Sequence, residues 1–269
     1  MSLLVVLIPY SIVVTAWAIL FTVLYFNRQP PIHELEMLLD LGNPPAKRVG
    51  ASPTPVLSVR SYDRVKADAP LPAHLVTALG KTIRVGDLEV TPVSVEQKRV
   101  LFKDRTGRHQ SEMAQHESLV LSLQLKNVSK DVEFRPTDVY FDHKWKDGNN
   151  PPNIMPYTYL EVPSTGKRYC GPFKWDPVKN RKLPPHAAGS EEYIEGQEQD
   201  NKVLQPGEEV KTAILTDPDD QVPNELRNYS GKLLWRLQLR RGLVIYKERE
   251  FPVAAVIGVR FDKAEIVKK

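Results

Sequence analysis

The sequence predicts a mainly β protein, an antiparallel sandwich preceded by one N-terminal transmembrane helix and a proline-rich linker. Three observations predict it. The segments ESLVLSLQLKN and GKLLWRLQLRRG alternate apolar and polar residues with a period of two, the repeat that sends successive strand side chains to opposite faces. The run from Leu3 to Phe26 spans 24 residues without a charge. The 23 prolines among 269 residues disfavour an all-helical fold, because an interior proline removes a helix hydrogen bond and clashes with the preceding turn.

At ~1.5 Å per residue, Leu3 to Phe26 is long enough to cross the ~30 Å hydrocarbon layer of a bilayer, so the lipid bilayer is the first expected partner. Pro9 falls in the first two turns, where a missing hydrogen bond costs least, and Tyr10, Trp17 and Tyr25 include aromatics placed near the interfaces. Arg28 stops the run. The Ala16 and Ala18 pair resembles a signal-peptide cleavage site, but no Lys or Arg precedes the apolar run and the run continues eight residues beyond Ala18. The expectation is therefore a single-pass membrane protein with residues 1–28 as helix and flank and the folded domain outside the cytoplasm.

Residues 29–79 read as a linker. Pro30, Pro31, Pro44, Pro45, Pro53, Pro55, Pro70 and Pro72 lie among polar residues, the composition of a semi-rigid extended spacer. Within it Ile32, Leu35, Leu38 and Leu39 have helical spacing between Pro31 and Gly42, which predicts a short amphipathic helix. PAHLVTALG, from Pro72 to Gly80, has the same Pro-start and Gly-stop signature.

Residues 80–269 carry the strand signals. Leu119, Leu121, Leu123 and Leu125 share one face, and so do Leu233, Trp235, Leu237 and Leu239. EVKTAILTD follows a Pro206-Gly207 turn, and LVIYKEREF and PVAAVIGVRFD follow a turn at Arg241-Gly242. Further strands are expected at Thr82 to Val85, Leu88 to Val95, Arg99 to Lys103 and Val139 to Phe141. Eight or nine short strands between turn signals suit two antiparallel sheets. No helical pattern alternates with them, which disfavours an α/β fold.

GKTIRVGDLEVTPVSVEQ, LVLSLQLKNVSKDVEFRPTDVYF, VLQPGEEVKTAILTD and GKLLWRLQL, taken in order, resemble the immunoglobulin-like, telokin-like domain of unknown function found on bacterial lipoproteins and single-pass membrane proteins. The resemblance covers most of Gly80 to Arg241 and implies an immunoglobulin-like sandwich, with no reaction attached. The chain departs from that pattern by an insertion at about residues 142–202, longer than ordinary loops.

The insertion interleaves Tyr157, Tyr159, Tyr169, Phe173 and Trp175 with Lys167, Arg168 and Lys174, and these five aromatics are the candidate partner-binding surface, since aromatic residues and Arg are common interface anchors. The competing reading makes them an added hairpin that completes the core. Cys170, the one cysteine, cannot form an intramolecular disulfide and reads as a packed residue. His109, Glu112 and His116 lack the H-E-x-x-H spacing of a zinc helix, and Asp217, Asp219 and Asp220 lack the order of a calcium loop, so no metal and no cofactor is expected. Asn127-Val128-Ser129 and Asn228-Tyr229-Ser230 match the glycosylation pattern and read as turns. With 37 basic against 33 acidic residues, net +4 is too small and too scattered for a nucleic-acid stripe. No nucleotide-binding loop or esterase elbow is present.

The functional expectation is a membrane-anchored, non-catalytic binding or structural module with a protein partner. Two alternatives stand beside it, an accessory subunit of a membrane complex and a metal-dependent enzyme using His109, His116 and the Asp217 loop.

Overall fold

The structure is a computed structural model, and it describes residues 14–20, 32–39, 47–50, 65–104, 111–138, 141, 156–171, 174–176, 181–183, 192–199, 202–246 and 249–269. In chain order the strands are β1 (Leu38–Leu39), β2 (Lys47–Arg48), β3 (Val76–Ala78), β4 (Ile83–Val85), β5 (Leu88–Asp104), β6 (Glu112–Asn127), β7 (Val132–Glu133), β8 (Tyr159–Val162), β9 (Lys167–Tyr169), β10 (Lys174–Asp176), β11 (Arg181–Leu183), β12 (Glu192–Ile194), β13 (Glu209–Leu215), β14 (Lys232–Tyr246), β15 (Arg249–Asp262) and β16 (Ile266–Lys268).

Two sheets of six strands carry the domain, each built on one long hairpin. The first runs β1-β15-β14-β8-β9, with β3 also on β15; the second runs β12-β5-β6-β13, with β4 and β16 also on β5. The alternation explains how they pack. Leu119, Leu121, Leu123 and Leu125 of β6 and Leu233, Trp235, Leu237 and Leu239 of β14 all lie in one hydrophobic cluster, so the inner faces of both sheets share a single core. The sheets are thus layered face to face, and the mainly β, sandwich-like part of the expectation holds.

Short strands close the long edges. Leu38–Leu39 covers β15 at Val253–Ala254, and Val76–Ala78 runs parallel to it at Gly258–Arg260. On β5, the strands β4, β16 and β12 occupy successive stretches of the edge opposite β6. An uncovered edge is a template for unwanted pairing, and these small pieces remove most of it.

The membrane expectation is corrected. Within the Leu3 to Phe26 run the structure describes residues 14–20, which are helical. Among the described residues no helix is long and apolar enough to cross a membrane. The other positions of that run lie outside the described residues. The transmembrane, single-pass and membrane-localised readings, and the extracytoplasmic placement that depended on them, are not carried further.

Residues Glu34–Lys269 form one compact unit, separate from Met1–His33. The unit therefore reaches back well before residue 80. In place of the helix expected from Ile32, the chain makes a 3-10 turn at Glu34–Glu36 and then β1, with Leu35 fully buried in the core. Helical spacing is overridden there because Leu38 and Leu39 find backbone partners on β15. PAHLVTALG likewise gives a 3-10 turn at Ala73–Leu75 followed by β3.

Two strand boundaries also differ. Leu88 to Val95 and Arg99 to Lys103 are one 17-residue strand, β5, which absorbs register shifts at Pro92/Ser94 and Arg99/Leu101. Proline, having no N–H to donate, is tolerated at such a bulge. Arg241-Gly242 is a bulge inside β14, with Gly242 at φ 102°, a left-handed conformation that glycine adopts without strain. Of the strand expected at Val139 to Phe141, the first two residues lie outside the described residues and Phe141 is not in a strand.

Candidate functional site

The outer face of the first sheet is where this chain concentrates its polar chemistry. Alternation along β14 puts Arg236, Gln238 and Arg240 on the side away from the core leucines. Yet Arg236 is 3% exposed and Arg240 1%, because other parts of the chain cover them. A buried guanidinium needs acceptors for its donors, and both arginines have found main-chain carbonyls.

Arg240 is held by residues 135–138 and by Phe141. It donates to the carbonyls of Thr137 at 3.0 Å and Arg135 at 3.5 Å, pairs with the Asp138 carboxylate at 2.5 Å, and lies 5.1 Å from the Phe141 ring centroid. This is a clamp that fastens the crossover after β7 to the sheet.

Arg236 belongs to a second group formed with β8 and β9. Its Nη2 donates to the Ala69 carbonyl at 2.9 Å, Tyr159 Oη donates to the Ala67 carbonyl at 3.0 Å, and Tyr157 Oη donates to the Val65 carbonyl. Three sheet side chains therefore hold three alternate carbonyls of one segment. That segment turns on itself through Ala69 N–H to the Lys66 carbonyl, 2.9 Å. Arg168 pairs with Asp68 at 3.5 Å, and the guanidiniums of Arg168 and Arg236 lie 5.2 Å and 5.6 Å from the Tyr159 ring centroid. Such distances are within cation–π range. Gly258, paired with Arg236 across the β14–β15 ladder, leaves room for Leu71; a Cβ there would lie 2.8 Å from Leu71 Cδ1.

Burial sets the electrostatics. It lowers the Arg236 pKa from its ordinary value and raises that of the Tyr159 phenol, and Tyr169 is raised by burial and by its hydrogen bond to Glu225. Each phenol thus stays protonated and acts as a donor. The Nε–H groups of Arg168 and Arg236 are buried and have no hydrogen-bond partner among the described residues.

Of the five aromatics singled out in the sequence, the structure brings Tyr157 and Tyr159 together beneath residues 65–69. Tyr159 is 1% exposed, so it meets this chain's own turn rather than solvent. Tyr169 packs in the main core and donates to Glu225 at 2.6 Å. Trp175 lies in β10, paired with Lys182 of β11, and Phe173 is outside the described residues. The signal missed in the sequence was Arg236 and Arg240, whose outward register resembled an ordinary solvated face.

The remaining candidates go elsewhere. Cys170 is buried, and its carbonyl accepts from Asp217 N–H. Asp217 accepts from Asp219 N–H at 3.0 Å and so caps the 3-10 turn Pro218–Asp220. Glu112 and His116 lie on β6, and His109 is outside the described residues. Among the described residues no three His, Cys, Asp or Glu side chains group as metal ligands. Asn127 is fully buried and donates to the carbonyls of Val132 and Leu204, which makes its sequon a structural turn.

No protein-family model, no curated protein and no solved structure matches the chain.

Proposed function

We propose that residues Glu34–Lys269 form an immunoglobulin-like, non-catalytic binding or structural module that engages a protein partner through the outer face of its first sheet. The observation carrying this reading is the set of three donors, Tyr157, Tyr159 and Arg236, placed on alternate carbonyls of Val65, Ala67 and Ala69. This chemistry recognises main chain. Arginine stays charged and cannot serve as a base, and a phenol held protonated by burial is a poor one, so the group suits binding better than proton transfer.

The test is site-specific photo-crosslinking of the full chain in its native cells. One cross-linker replaces Glu161 on β8, beside the arginine and tyrosine group, and another replaces Lys211 on β13 of the second sheet. The reading expects a discrete protein adduct from position 161 and none from position 211. Equal labelling from both, or none from 161, would count against it.

A further inference from the structure

We propose that residues 65–69 are a built-in, displaceable occupant of the arginine and tyrosine groove, and that the groove takes an acidic segment of a partner protein. This rests on the binding-module reading above and adds the chemistry of the partner and its regulation.

The division of labour between groove and occupant points this way. Every donor comes from β8, β9, β14 or Tyr157, two residues before β8, and every acceptor on the resident turn except one is a main-chain carbonyl. The exception is the Asp68 carboxylate opposite Arg168. A groove that reads carbonyls plus one carboxylate places little demand on sequence, and another segment with the same groups can occupy it.

The resident turn also leaves donor capacity unused. Arg168 Nε and Arg236 Nε are both buried without a partner among the described residues, although both guanidiniums crowd one tyrosine ring. A buried donor left unmade is costly, and two like charges need nearby counter-charge. The carboxylates available are Asp68, half exposed at 3.5 Å from Arg168, and Glu161, paired in register with Arg168. A segment supplying a second carboxylate would meet the idle N–H groups, since guanidinium–carboxylate contacts are charge-assisted.

The resident turn is part of the same chain, so it competes at a high effective concentration and keeps an incoming segment weak until it is loosened. The test uses the full chain and a fluorescein-labelled, amidated peptide Val-Lys-Asp-Asp-Ala, the resident sequence with one added carboxylate, read by anisotropy. We expect saturable binding. Asp68→Ser, which weakens the internal competitor, should tighten it about fivefold, and Arg168→Gln should weaken it about tenfold. If Arg168→Gln does not fold, Arg168→Lys serves, since it keeps charge and loses the fork that binds carboxylate in two places. Amide exchange at Ala69 should rise when the peptide binds.

The proposal is overturned by the absence of saturable binding, by equal half-saturation in all three proteins, or by equal competition from free succinate at matched carboxylate concentration. The last outcome would show that carbonyls are not read. Failure here with crosslinks from position 161 intact would remove the acidic-segment proposal and leave the binding module standing.

Discussion

Arg236 and Tyr159 stand opposite each other in the β14–β8 ladder, and the guanidinium lies 5.6 Å from the centroid of the phenol ring. Directly paired residues share one face of a sheet, so the pair forms a single polar platform. Each also holds a carbonyl of the same turn, Ala69 for Arg236 and Ala67 for Tyr159. The platform joins residues far apart in sequence, and its loss is felt in the covering segment before it is felt in the core.

The Arg240 clamp gives the clearest stability prediction. Asp138→Ala removes the carboxylate that pairs with a fully buried guanidinium, and removing one partner of such a pair costs about 3 kcal/mol. Chemical denaturation should show a loss of that size. Replacing both residues, as Arg240→Met with Asp138→Leu, should recover most of it.

Asn127 is the polar centre of the turn after β6. It donates to the carbonyls of Val132 at 2.7 Å and Leu204 at 3.0 Å, and accepts from Ser129 N–H at 3.0 Å. Asn127→Ala removes one of two donors from each carbonyl, since Ser129 Oγ also donates to Val132 and Phe134 N–H to Leu204, and it leaves Ser129 N–H without its acceptor; it should cost about 2 kcal/mol, measured by denaturant melting. No glycan should be found on Asn127 in folded protein.

Gly242 lies where the β14 bulge meets the β4–β5 turn. A Cβ there would be 2.7 Å from Asp87 Oδ2, at a φ of 102° that strains any L side chain. Gly242→Ala should therefore destabilise the domain by about 2 kcal/mol. A thermal midpoint within a degree of the parent would contradict this.

A fourth prediction concerns pH. Hydrogen bonds from Lys269 and Lys98 lower the Glu96 pKa below its ordinary 4.5. A carboxyl whose folded pKa is depressed contributes stability that is fully present above its unfolded value and is lost as pH falls through the folded one. Stability should thus decline as pH drops below about 4.5, and Glu96→Gln should flatten that part of the curve. The check is denaturation measured between pH 6 and pH 3.

Much of the fold was legible because alternation is local. Leu119 through Leu125 and Leu233 through Leu239 read as inward faces, and they are the core. The same pattern concealed the covered polar face of β14. Arg236 and Arg240 alternate correctly with the leucines, and nothing nearby tells that residues 65–69 and 135–138 fold over them. Leu38 and Leu39 failed for a related reason, since a two-residue strand has no period and forms only because β15 offers an edge. Tyr157 and Tyr159 were visible as aromatics, but their partners are backbone carbonyls some ninety residues earlier in the chain. The apolar run at the N-terminus predicted a spanning helix, and among the described residues no helix is long and apolar enough to cross a membrane.

The most direct measurement of the central claim is amide hydrogen exchange at Ala69, whose N–H closes the turn onto the Lys66 carbonyl. The account predicts slow exchange in the parent protein. It also predicts acceleration of about fivefold in Tyr159→Phe, which removes one hydrogen bond worth ~1 kcal/mol, with the amides of Leu237 and Leu239 unchanged. Exchange at Ala69 that is as slow in Tyr159→Phe as in the parent would contradict the claim that the sheet's outer face holds this turn.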